Sequence, residues 1–449
     1  MNLKKYFHIL PKHTDKKTIQ KYEPLYGVAV DIALTQAMAE RGDAEAQYNM
    51  GTFYATGTGV TPNYAQACTW YKKAAQQGEV ESQYQLGLLY GEGKGVVQDT
   101  QQSLKWFAQA AALGHIPSQL NLANYYRRGI AGQKDWQKAK KWYEKAASQG
   151  DAGAQYYVCK MYLEDETAFA NADKAFAWIQ KSAKQGYADA QYMLGILYKE
   201  GRGITKNDKK AVAWIQKAAR QGNLDALNAL ALCYEEGKGV RQDYHKARKY
   251  YGAAAERGHA DAQYNLALLC LQGKGFAQNA QKAREWLEKA AMQAHVYSQL
   301  NPGIMYFSGQ GGDKNDALAR QWFEQAALQG NPTAQFNIGM FYARGTGGIQ
   351  NKNKACEWLE KAAAQNHENA QLNLGVMYYL GETCEKNDIR ARYWFENAAL
   401  AGNSQAQYNL GMFYAEGIGG AQDNDKAREW LKKSAAQGND DAIAELQTY

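Results

Sequence analysis

Apolar, small and polar residues return along this chain at a constant interval of 36. The run Ala46-Gln47-Tyr48-Asn49-Met50-Gly51 has counterparts beginning at Ser82, Ser118, Ala154, Ala190, Ala226, Ala262, Ser298, Ala334, Ala370 and Ala406, and a decayed one at Ala442. A fixed period of this size marks one small supersecondary unit stacked many times, each copy burying its apolar face against its neighbours. Asp43 to Gly78 serves as the reference copy, and equivalent positions elsewhere are named by their number in it. Helical spacing of its apolar residues predicts a first helix over about 44–56 and a second over about 64–77, punctuated by Gly57-Thr58-Gly59. Asp43 suits an N-cap, as do Asp151, Asn223, Asn331, Asn403 and Asn439 in the same place, because a side-chain oxygen accepts from an otherwise unpaired amide of the first turn. Gly78 and its counterparts close the second helix where a left-handed residue is wanted. Each copy is thus an αα-hairpin.

Position 51 is always small: Gly51, Gly87, Ala123, Cys159, Gly195, Ala231, Ala267, Gly303, Gly339, Gly375 and Gly411. Ala74-Ala75 recurs on the second helix. Small residues at facing sites let helix axes approach closely, and large anchors such as Trp70 are then expected to fill the space between hairpins, which makes the tryptophans core. Ala46, Met50, Gly51, Tyr54, Gly57, Gly59, Val60, Ala67, Trp70, Lys73, Ala74, Ala75 and Gly78 follow the pattern A-x-x-Y-x-L-G-x-x-Y-x-x-G-x-G-V…A-x-x-W-x-x-K-A-A-x-x-G. The chain therefore resembles the Sel1-like repeat family, relatives of the tetratricopeptide repeat. That resemblance implies an all-α fold, a right-handed α-solenoid or superhelix of tandem 36-residue αα-hairpins, used as a protein-interaction scaffold. The expected organisation is a basic N-terminal segment and capping helix over 1–42, eleven repeats over 43–438, and a C-terminal capping half-repeat over 439–449.

Departures from the period stand out. Leu163-Glu164-Asp165-Glu166-Thr167-Ala168 replaces one glycine turn, and Pro302 occupies an apolar position well inside a first helix. Proline there deletes a backbone hydrogen bond and collides with the carbonyl four residues earlier, so a kink is expected.

A mean hydropathy of −0.63 and the absence of an apolar run near the ~18 residues that span a bilayer argue against a transmembrane segment. Of the net charge of +7, much comes from Lys4, Lys5, Lys12, Lys16, Lys17 and Lys21, so the array is nearly neutral and nucleic acid is not an expected partner. The basic N-terminus leaves open a contact with an anionic membrane surface. Cys68, Cys159, Cys233, Cys270, Cys356 and Cys384 show no CxxC and no couple recurring with the repeat, so a reducing, cytoplasmic location is expected, and the family resemblance implies a bacterial one.

Candidate binding residues lie on the first helix. Positions 47, 50, 51 and 54 point to the paired helix, and 45, 49, 52 and 56 form a different stripe. Position 49 holds Asn49, Asn121, Asn265, Asn301, Asn337, Asn373 and Asn409, although asparagine is a mediocre helix former. An amide offers a donor and an acceptor, and a row of amides can clasp a foreign peptide backbone without reading its sequence. Some tetratricopeptide-type superhelices, which this array resembles, hold extended peptides in their concave groove by such an asparagine ladder. The other use open to these residues is bonding to the adjacent repeat. Asn124, Arg128, Lys160, Glu164, Ile304, Ser308, Met340, Arg344, Val376 and Leu380 on the same stripe would supply specificity.

Catalytic chemistry is not in view. His367-Glu368-Asn369-Ala370-Gln371 lacks the second histidine of a zinc site, no Walker Lys-Ser/Thr follows the Gly-x-Gly turns, and no Ser-x-x-Lys occurs. The reading is a non-catalytic scaffold or adaptor for a protein or extended peptide, with no metal and no cofactor. An enzyme-regulating subunit, an enzyme completed by a partner, and an RNA binder are the alternatives.

Overall fold

The computed structural model describes residues 32–130, 132–164, 172–293, 295 and 298–447, so the basic segment 1–27 and most of the irregular stretch after Leu163 lie outside the described residues. Among those described, every regular element is an α-helix, and the chain forms two compact units, residues 1–226 and 227–449. The first unit contains α1 (Ile32–Glu40), α2 (Ala44–Thr56), α3 (Tyr64–Gln76), α4 (Val80–Glu92), α5 (Thr100–Ala112), α6 (Ile116–Arg128), α7 (Trp136–Ser148), α8 (Ala152–Glu164), α9 (Ala172–Lys184), α10 (Ala188–Glu200), α11 (Asp208–Arg220) and the start of α12 (Leu224–Glu236). The second continues through α13 (Tyr244–Ala255), α14 (Ala260–Gln272), α15 (Ala280–Met292), α16 (Leu300–Ser308), α17 (Asp316–Leu328), α18 (Pro332–Arg344), α19 (Lys352–Ala364), α20 (Glu368–Leu380), α21 (Asp388–Leu400), α22 (Ser404–Glu416), α23 (Asn424–Ala435) and α24 (Asp440–Leu446). Even-numbered helices are the first helices of the hairpins. Each unit is an α-solenoid in which consecutive helices pack on one another.

Capping explains the regular boundaries. Asp43 Oδ1 accepts from Ala46 N at 2.7 Å and Asn403 Oδ1 from Ala406 N at 2.8 Å; the second helices are opened in the same way, as by Asp135 Oδ1 and Lys138 N at 2.8 Å. First helices end on left-handed glycines such as Gly57, with φ of 77°. At the position of Gly78, Asn366 is the one described non-glycine residue with positive φ (63°), a conformation asparagine tolerates.

Inside each hairpin the small position 51 faces position 71, the neighbour of the tryptophan. A Cβ on Gly51 would lie 2.6 Å from the Tyr71 ring, and one on Gly375 2.5 Å from Phe395. Phe107, Tyr143, Tyr251, Phe323 and Phe395 at this position are almost fully buried. The tryptophans pack against the preceding hairpin as expected, but most of them are less deeply buried than a core position implies. Trp70 and Trp358 are buried but Trp106, Trp142, Trp178, Trp214, Trp286, Trp322, Trp394 and Trp430 are only half-buried, because position 70 is rotated about 100° from position 71 around the helix. The open faces of Trp142, Trp178, Trp214, Trp286 and Trp430 carry lysines one turn on: Lys217 Nζ is 3.9 Å from the Trp214 centroid and Lys433 Nζ 4.0 Å from that of Trp430.

Consecutive hairpins are tied by glutamines. Gln47 is buried; its Nε2 donates to Ala39 O of the preceding helix at 3.0 Å, and its Oε1 accepts from Gln77 Nε2 at 2.8 Å. The same pair recurs as Gln155 with Gln185, Gln191 with Gln221, Gln335 with Gln365 and Gln407 with Gln437. Both polar ends of an otherwise costly buried amide are thereby satisfied.

Pro302 does not kink its helix. α16 starts at Leu300, four residues later than the period predicts, so the proline falls in the first turn, where its missing N–H would have no intrahelical partner. The cysteine reading is also corrected: Cys356 and Cys384 form a disulfide with Cα atoms 5.8 Å apart, and Cys68, Cys159, Cys233 and Cys270 are buried outside it. Stacking brings the two sulfurs together across a repeat boundary that no local spacing motif marks. No described helix is long and apolar enough to cross a membrane.

Candidate functional site

The asparagines of position 49 are half-buried at the face of the first helices, none of them in the interior. The i, i+4 geometry that buries Gln47 and Met50 leaves this stripe one quarter-turn away, accessible along one side. Their amides differ in engagement. Asn121 Nδ2 donates to Pro117 O at 3.0 Å and Asn373 Nδ2 to Asn369 O at 2.7 Å, both back-bonding within their own helix. Asn265 Nδ2 donates to Asn228 Oδ1 on the preceding first helix at 3.1 Å, and Asn409 Oδ1 accepts from Gln405 Nε2 at 3.2 Å. Among the described residues no side-chain hydrogen bond involves Asn49 or Asn337. In the second unit, Asn265, Asn337, Asn373 and Asn409 thus combine one bond between repeats with amides bonded inside their own helix or making no side-chain hydrogen bond.

Of the expected specificity residues, several in the first unit serve internal roles. Asn124 Oδ1 accepts from the buried Tyr143 hydroxyl at 2.8 Å and from Arg127 at 3.3 Å, and Lys160 pairs with Glu164 at 3.8 Å. Burial is the main reason that the Tyr143 hydroxyl is pushed up to about 12, so it stays a donor. Arg128 lies at the edge of the same face, half-buried. In the second unit the stripe is open and apolar. Ile304 is 41% and Leu380 52% exposed, Met340 and Val376 pack half-buried against the core, Arg344 is exposed, and Ser308 Oγ donates to Met305 O at 3.3 Å.

Position 55 also belongs to this face and was not singled out by sequence. Phe307 (42% exposed) touches Phe341 of the next first helix with centroids 5.2 Å apart, and Tyr379 (37% exposed) touches Phe413 at 5.1 Å. Aromatic residues occur at position 55 only in these two copies, so no periodic signal marked them. Ile304 and Phe307 on α16 and Tyr379 and Leu380 on α20 are two exposed apolar pairs of a kind more typical of binding surfaces than of solvent faces. Charge differs along the stripe: in the first unit it carries Glu45, Glu81, Glu92, Glu164, Asp189, Glu200 and Asp225 against Arg128 and Lys160, whereas on α16, α18 and α20 it carries Arg344 as its single charge.

The histidines at the inter-hairpin position act as caps. His259 Nδ1 accepts from Ala262 N at 3.1 Å and His367 Nδ1 from Ala370 N at 3.2 Å; burial lowers the pKa of His367, which favours the neutral acceptor form. His115 and His295 instead meet Ser118 and Ser298, at 2.8 and 2.7 Å. Among the described residues no group of three His, Cys, Asp or Glu side chains is placed to hold a metal ion.

The family model described as Sel1 repeat matches residues 44–79, 80–115, 116–151, 152–187, 188–223, 224–259, 260–295, 296–331, 332–367, 369–403 and 404–439. Among solved structures, the chain is 34% identical to c5321, described as a protective antigen present in uropathogenic Escherichia coli strains and displaying an SLR fold, over 93% of this chain and 89% of that one, with a TM-score of 0.64. It is 32% identical to a Sel1 repeat protein from Oxalobacter formigenes, over 69% of this chain and 89% of that one, with a TM-score of 0.54. No curated protein matches the chain.

Proposed function

The chain belongs to the Sel1 repeat family, whose solenoid is typical of protein-interaction scaffolds, and from that premise we propose that it is a non-catalytic adaptor holding an extended segment of another protein along the first-helix face of its second unit. The observation that carries this reading is the coincidence, on α16, α18 and α20, of half-buried asparagines with exposed apolar residues and a single charge. The amides of Asn301, Asn337 and Asn373 would take the backbone of the bound segment, two hydrogen bonds to each peptide unit. Ile304, Phe307, Tyr379 and Leu380 would bury its apolar side chains. Hairpins stacked roughly 10 Å apart and an extended chain rising about 3.3 Å per residue match a segment of roughly a dozen residues to five rungs. The acidic stripe of the first unit disfavours nucleic acid.

The experiment is calorimetric titration of the partner recovered from the native host against wild type and against the triple variant Asn301→Ala, Asn337→Ala, Asn373→Ala. Loss of three backbone contacts at about 0.5–1.5 kcal/mol each should weaken binding at least tenfold, with helix content by circular dichroism unchanged. Equal affinity for the two proteins would remove the amide row from the mechanism.

A further inference from the structure

Between adjacent repeats, the residue at position 68 of one second helix meets the residue at position 60 in the turn of the next repeat, 28 residues further on. The chemistry of the two positions changes together. Cys68 and Val96 share one apolar cluster, and Phe176 and Ile204 another. Arg248 lies over Phe276, its guanidinium carbon 4.5 Å from the ring centroid. Arg320 and Arg392 instead pass under glycines: a Cβ on Gly348 would lie 2.6 Å from Arg320 Nη1, and one on Gly420 2.5 Å from Arg392 Nη1. Each guanidinium then donates to a turn carbonyl, Arg320 to Ile349 O at 3.2 Å and Arg392 to Ala421 O at 3.3 Å. In the repeat between these two, the same pair of positions is Cys356 and Cys384, joined through sulfur.

The turn that holds Cys384 has also lost its usual contact. Elsewhere the second glycine of Gly-x-Gly is left-handed and presses on the first turn of the preceding second helix; a Cβ on Gly203 would come 2.8 Å from Ala172 O, and one on Gly275 2.8 Å from Tyr244 O. Thr383 stands at that position after Gly381. A side chain cannot make this approach, and the covalent bond fastens the turn to the same helix from the next residue.

We propose that the Cys356–Cys384 bond is a native crosslink that fastens α19 to the turn after α20, and that the chain matures and works in an oxidising compartment rather than in reducing cytosol. Structural disulfides persist in oxidising compartments and are rare where thiol buffers keep cysteines reduced. The bond forms by thiol–disulfide exchange. The Cys356 and Cys384 thiols lose two protons and two electrons, and the disulfide of a dithiol oxidant in that compartment accepts them and leaves as two thiols, by way of a mixed disulfide. The remaining cysteines do not compete, since Cys68, Cys159, Cys233 and Cys270 are buried in separate repeats. By fixing the turn, the crosslink also fixes the end of α20, which carries Tyr379 and Leu380.

The full chain from native cells, acid-quenched and unfolded in alkylating reagent, should take four labels before reduction and six after it, with the Cys356 and Cys384 peptides recovered as one linked species. Six labels before reduction would overturn the proposal. A second measurement uses Cys356→Arg with Cys384→Gly, the pair that the neighbouring repeats already employ. Dithiothreitol should lower the Tm of the oxidised wild type by a few degrees and leave that of the double variant unchanged. An unchanged wild type, or an equal fall in both proteins, would overturn the crosslink.

Discussion

Gln83 and Gln371 each bury a side-chain carbonyl oxygen that meets no donor, and the reason lies thirty residues further on. In regular repeats that oxygen accepts from the glutamine at position 77, but Leu113 and Ala401 stand there in these two copies. Their donor sides are intact, with Gln83 Nε2 bonded to Ala75 O and Gln371 Nε2 to Ala363 O. A buried acceptor left unmade costs about 1–3 kcal/mol. Both Leu113 and Ala401 are exposed, so a longer polar side chain fits without repacking. Leu113→Gln and Ala401→Gln should each stabilise the chain by about 1 kcal/mol, seen as a higher urea midpoint with unchanged slope. In the copy where position 47 is Leu227, position 77 is Arg257, so where the glutamine acceptor is absent its glutamine partner is absent as well.

At the scale of the helix, the same residue type has opposite consequences in two places. Gly375 on α20 faces the Phe395 ring with no room for a side chain, whereas a Cβ on Gly252 in α13 would meet nothing within 4 Å. Gly375→Val should therefore destabilise by about 1–3 kcal/mol through overpacking. Gly252→Ala should stabilise by about 0.5–1 kcal/mol, because alanine loses less backbone freedom in a helix. Thermal unfolding of the two variants checks both signs at once, and a loss of stability at Gly252 would contradict the open space described there. Helix ends were legible in sequence because capping is local: Asp43, Asn331 and Asn403 cap as their positions predict. The start of α16 was not, since a proline near a helix start is compatible either with a kink or with a later first turn.

For the whole molecule, stability in a stacked array is a sum of repeat and neighbour terms, so weak points are local. The repeat over 296–331 unites a shortened α16, a proline and a buried Gln299 Nε2 without an acceptor. Its first helix should show the fastest amide exchange among those of the second unit. Pro302→Leu, which restores the residue type of Leu266 and Leu374, should slow that exchange, and rates unchanged by the substitution would show that the proline does not set the helix start. The period, the hairpins, their caps and the accessible asparagine stripe followed from sequence alone, because each depends on contacts within a few residues or on helical phase. The buried glutamine pairs, the ring of position 71 as the filler within each hairpin, the aromatic edge of Phe307 and Tyr379 and the Cys356–Cys384 bond needed coordinates. Each joins side chains about twenty to forty residues apart, and the angle at which one hairpin lies on the next, which no single repeat encodes, selects which of them meet.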